Sequence, residues 1–135
     1  MNKRLPDWRH RLHGYLQDVA RTPFKPGSND CALFLAGAVE AMRGVDYAAP
    51  YRGRYTTITG GLRILRRDGF DDHIALARHH LKEKPVAFAH VGDGAVVIGE
   101  DGPALGIVQG AAIFVLTPTG MGHVPLISAE TVLEV

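Results

Sequence analysis

One cysteine, Cys31, is all that the 135-residue chain holds. A lone thiol excludes an internal disulfide and leaves too few ligands for a cysteine-rich zinc site. A reducing compartment, or indifference to redox, follows. Net charge is equally scarce: 15 Lys and Arg against 14 Asp and Glu leave +1. That balance gives no field of the kind that gathers nucleic acid, so no nucleic-acid partner is expected. No apolar run approaches the roughly 18 residues of a membrane span, and Met1 to Trp8 lacks the apolar core of a signal peptide. The sequence therefore predicts a protein that starts out soluble in a cytoplasm, without a membrane span; a bacterial cytoplasm is what the resemblance described below implies. Gly-rich phosphate loops and zinc-protease helices are absent too. His79 and His80 are neighbours and diverge by about 100° on a helix, so they cannot share an ion. Glu100 and Asp101 at a hairpin tip are only two carboxylates. No metal and no cofactor are expected.

What is present is a core. At 46% hydrophobic and 21% charged residues, the composition predicts a single domain over 1–135. Trp8, Leu12, Tyr15, Leu16 and Val19 recur at helical spacing and predict an amphipathic helix over about 6–20, ended by Pro23 and Pro26. A short apolar helix runs from Cys31 to Arg43, with Asn29 or Asp30 as N-cap and Gly44 as its stop. Helices over 58–67 and 71–81 follow, separated by Asp68-Gly69. Beyond Pro85 the pattern changes to short β-branched runs at 94–98, 105–109 and 112–116, punctuated by glycines, with further strand signals at 124–127 and 132–135. Helices first and an antiparallel meander after predict an α+β fold.

Cys31 begins its helix. A thiol in a first turn meets unpaired backbone N–H groups and the positive end of the macrodipole, which favour thiolate and a catalytic nucleophile. The alternative is a small buried hydrophobe. Tyr51-Arg52-Gly53-Arg54-Tyr55 is a second candidate: Arg52, Arg54 and Tyr55 together suit an acidic ligand or a partner surface. A loop pinned by an arginine–carboxylate pair and tyrosine packing would read the same way.

Three segments carry a resemblance. Phe24 to Phe34 (Phe-Lys-Pro-Gly-Ser-Asn-Asp-Cys-Ala-Leu-Phe), Val91-Gly92-Asp93-Gly94 and Ala104-Leu105-Gly106-Ile107 resemble, in order and spacing, the framework of NlpC-type papain-like cysteine hydrolases. Along nearly its full length the chain is also similar to a family of uncharacterised phage and prophage proteins. The resemblance implies a papain-like fold in which Cys31 starts a central helix packed on a C-terminal antiparallel sheet. It also implies cleavage of peptidoglycan stem peptides and a place in a virion tail among other tail-tip proteins. The chain departs from the pattern at one point: Ala104 stands where the family has its catalytic histidine, and Phe114 to Leu116 offer no orienting polar group. Of the seven histidines, those in the first and fourth helices, His73 among them, are expected at the surface, and His90 at the wrong end of its strand. His123, in a loop after the third core strand, is the substitute base, with Asp30 or a nearby backbone N–H serving the oxyanion. Two functions remain: a tail-tip cysteine peptidase acting through Cys31, or an inactive structural component that keeps the scaffold.

Overall fold

The computed structural model describes residues 3–99 and 102–135; Glu100 and Asp101, read above as a hairpin tip, lie outside the described residues. Four helices precede the sheet: α1 (Trp8–Arg21), α2 (Cys31–Arg43), α3 (Ile58–Arg67) and α4 (His73–His80). Their ends follow from local chemistry. Asp30, Thr57 and Asp72 each accept the amide of the residue three positions on, so the side chain meets a donor that no turn of the helix can reach. Gly44 stops α2 at φ 77°, where a side chain would be strained.

α2 is the centre of the molecule. Leu33 to Val39 and Met42 are all buried, so the helix is apolar on every side and is surrounded rather than laid on a surface. α1 runs antiparallel to it. The Leu5 amide bonds the Met42 carbonyl at one end, and further along the Tyr15 hydroxyl donates to the Phe34 carbonyl at 2.7 Å. Gly37 makes that approach possible, because a Cβ there would meet the Tyr15 ring.

The sheet has six strands: β1 (Glu83–Lys84), β2 (Gly94–Gly99), β3 (Gly102–Gln109), β4 (Ala112–Thr117), β5 (Gly120–Pro125) and β6 (Ala129–Leu133). Their spatial order is β1-β6-β2-β3-β4-β5, antiparallel throughout. The α+β reading holds, with three corrections. The strand expected at 132–135 is β6, which begins at Ala129 and ends at Leu133. The strand expected at 124–127 is β5, which begins at Gly120 and ends at Pro125, and Leu126–Ser128 forms a 3-10 turn. The tight Thr117-to-Gly120 turn starts the pairing at once, so His123 lies within a strand and not in a loop. The two-residue β1 was also missed, since so short a strand carries no alternation to read.

Alternation gives the sheet two apolar faces. Val96, Leu105, Ile107 and Leu133 join the main core with Leu12, Phe34, Leu35, Ala38 and Ile74 from the helices. Ala95, Val97, Val108 and Ile113 form a second cluster on the other face, and Ala104 packs against that one. Gly106 sits where β3 and β4 press together, and a Cβ there would lie 2.7 Å from the Phe114 carbonyl oxygen and into the Ile113 side chain. Backbone cannot move aside as a side-chain tip can. Gly106→Ala is expected to lower unfolding free energy by about 1–3 kcal/mol with little change in denaturant slope, measured by urea unfolding.

Candidate functional site

The loop before α2 and the loop after it close on one carboxylate. Asp30 is fully buried and accepts three hydrogen bonds: from the Leu33 amide at 2.9 Å, the Gly27 amide at 2.8 Å and the Tyr55 hydroxyl at 2.6 Å. Gly27, at φ 92°, lets the Tyr55 backbone approach, and Gly61 gives room to the Tyr55 ring. A Gly53 amide bond to the Gly27 carbonyl completes the junction.

Cys31 follows directly, half-buried, in the first turn of α2. Burial pushes its thiol pKa up and the neighbouring Asp30 carboxylate pushes it further, while the backbone N–H groups of Cys31 and Ala32 pull the other way. The net is upward. This runs against the expectation of a helix-start thiolate, because burial, with the Asp30 charge added to it, outweighs the partial charges on the amides. Asp30 is corrected as well: a carboxylate that only accepts, and already serves three donors, has no proton to give an oxyanion. The amides of Cys31 and Ala32 are the available donors at this place.

The remaining candidates divide. Tyr55 is bound into the junction, and burial, then the bond to Asp30 and its charge, raise its phenol pKa. Arg52 pairs with Asp46 through two contacts, 2.6 and 3.3 Å. Tyr51 in the same loop donates to Asp68 at 2.9 Å. Arg54 is exposed. His123 is exposed on the outer strand β5, opposite Phe114, and no hydrogen bond links it to Cys31.

His73 was expected at the surface, and the structure corrects that. Its Nε2 is buried and has no hydrogen-bond partner. Burial lowers the imidazole pKa, and Asp72 and Asp30 oppose the shift. Asp30 caps α2, so His73 lies within electrostatic reach of the Cys31 end of that helix. At the other end, His80 and Leu81 share a small cavity with Val39 and Arg43 of α2. The two helices therefore run in the same direction, and their first residues, Cys31 and His73, share one end of the helix layer. No periodicity in the eight residues of α4 signals this; it comes from packing.

Among the described residues no group of three or more His, Cys, Asp or Glu is placed to hold a metal ion, and no helix is long and apolar enough to cross a membrane. A family model matches residues 3–135, so the chain belongs to the family described as Domain of unknown function (DUF6950). No curated protein and no solved structure matches it.

Two expected outcomes test this geometry. Tyr55→Phe removes one of three bonds to a buried charge and is expected to lower stability by about 1.5–3 kcal/mol in urea unfolding, with Asp30→Ala lowering it further, since it orphans all three donors. Iodoacetamide labelling of Cys31 is expected to be slow at pH 7 and to rise with a midpoint above the ordinary thiol value of about 8.5, because a raised pKa keeps the sulfur protonated through neutrality.

Proposed function

We propose that this DUF6950 domain is a papain-like, NlpC-type thiol hydrolase of a phage or prophage tail tip, acting on peptide bonds of peptidoglycan through Cys31. His73, rather than His123, serves as its base. The observation that carries the reading is the pairing of helix starts: a nucleophile at the first residue of α2 and, at the same end, a buried imidazole with a free nitrogen at the first residue of α4. The lowered pKa of His73 leaves it neutral at pH 7, the form a base requires.

The chemistry suits a thiol that rests protonated. His73 Nε2 takes the proton as Sγ attacks the carbonyl carbon, so charge appears only as the bond forms. The amides of Cys31 and Ala32, close enough to the sulfur to lower its pKa, are donors for the developing oxyanion. The imidazolium then returns the proton to the leaving nitrogen as the C–N bond breaks, and water hydrolyses the thioester.

A second reading, a tail component that keeps the scaffold without turnover, is favoured by the absence of any imidazole hydrogen bond to Cys31 among the described residues, beside a thiol pKa raised by burial and by Asp30. Turnover of peptidoglycan fragments separates the two. Under the hydrolase reading Cys31→Ala abolishes release of peptide, His73→Ala lowers it by about 10²–10⁴, and His123→Ala leaves it unchanged. Absence of turnover in the wild type, with Cys31 labelling equally fast in the His73→Ala variant, establishes the structural reading.

A further inference from the structure

At the far end of α2 from Cys31, a second buried aspartate organises a cleft. Asp93 is 1% exposed and accepts from the His90 amide (2.8 Å), the Val135 amide (3.0 Å), Arg4 Nη2 (3.2 Å) and Lys84 Nζ (2.6 Å). Its bonding capacity is filled. Arg4 is tied into the same network, since Nε reaches the Val135 oxygen and Nη1 the Val91 carbonyl. Above this network opens a cleft of about 510 Å³ that also takes in Trp8, Arg9 and Glu134.

The acceptors in the cleft are already claimed. Asp93 is held by Arg4 and Lys84, the Val135 oxygen by Arg4 Nε, and Glu134 lies 4.0 Å from Lys84, which leaves Arg9 without an acidic partner among the described residues. Arg43 adds to the same field: burial lowers the Arg4 pKa, and the Arg9 and Arg43 charges lower it further against Asp93. Two side chains that line the cleft stand outside this network of bonds to Asp93. Arg9 is exposed, lies over the Trp8 ring at 4.5 Å and has no ion pair among the described residues. The His90 ring is exposed, with Nδ1 3.2 Å from Lys84 Nζ and Nε2 unengaged.

We propose that this cleft binds an oxyanion, the phosphate or carboxylate group of a small ligand, held by the guanidinium fork of Arg9 and the ring of His90 in the field of Arg4 and Lys84. A planar fork matches two oxygens of either group. Volume favours a ligand larger than the anion alone. α2 has 13 residues, so the cleft lies about 18 Å along the helix axis from Cys31, and the inference stands apart from the hydrolase reading.

Trp8 is the only tryptophan, so fluorescence excited where the four tyrosines do not absorb reports this cleft. The full chain is titrated with inorganic phosphate and, separately, with citrate at constant ionic strength made up with chloride, and each titration is repeated by calorimetry. A saturable change with either anion is expected; phosphate alone identifies a phosphate site and citrate alone a carboxylate site. Arg9→Ala, a surface change that leaves the Asp93 network intact, is expected to weaken binding about tenfold or more, His90→Ala less, and Cys31→Ala not at all. The proposal is overturned if neither anion gives saturable fluorescence or heat, if chloride reproduces the response, or if Arg9→Ala binds as tightly as the wild type.

Discussion

The fold hangs on the buried carboxylate of Asp30. It ties the Tyr51–Tyr55 loop to the first turn of α2 and to the loop that leads into it, beside the Gly53–Gly27 backbone bond. A charge at zero exposure is tolerated only when donors replace its hydration, and here each of three donors is itself fixed by packing or a turn. Gly27 and Gly61 matter because they let Tyr55 come close enough to be the third. Loss of any one donor would strand charge, so the junction forms as a unit.

The same carboxylate sets the chemistry of Cys31. A helix N-terminus offers an anion roughly 0.3–1 kcal/mol at the surface and up to about 2 kcal/mol when partly buried. Burial disfavours the Cys31 thiolate most, and the Asp30 charge adds to it, so the two outweigh that attraction and the thiol pKa rises. Burial and the cap that starts the helix thus withhold the thiolate that the helix start would otherwise favour. A nucleophile in such a place depends on a base at the moment of attack rather than on a standing charge.

Legibility in the sequence tracked the range of the interactions. α2 and α3 were read to their observed limits because Asp30, Gly44 and the Asp68-Gly69 pair act within a few residues of themselves. β2, β3 and β4 announced themselves by alternation between glycine turns. The register of β5 was not legible, since a two-residue turn at Pro118-Thr119 looks like part of a longer Gly-rich loop until the strands pair, and His123 moved with it. The burial of His73 depends on how α4 lies along α2, and the partners of Asp93 depend on Arg4, 89 residues away. Neither leaves a local trace.

Ala104 shows where such a trace misleads. Matched by motif, it marks the missing base of a papain-like site. In the fold its methyl packs with Val97 opposite it in the second apolar cluster, on the sheet face turned from the helices, while its neighbour Leu105 faces the main core. A histidine side chain at 104 would therefore start from the face away from α2, and restoring the motif residue does not by itself restore a base. Strand alternation allows no compromise, since a one-residue shift of β3 would turn Leu105 and Ile107 out of the main core. On the helix side of the sheet the parallel run of α2 and α4 puts His73 at the end of the layer where α2 begins.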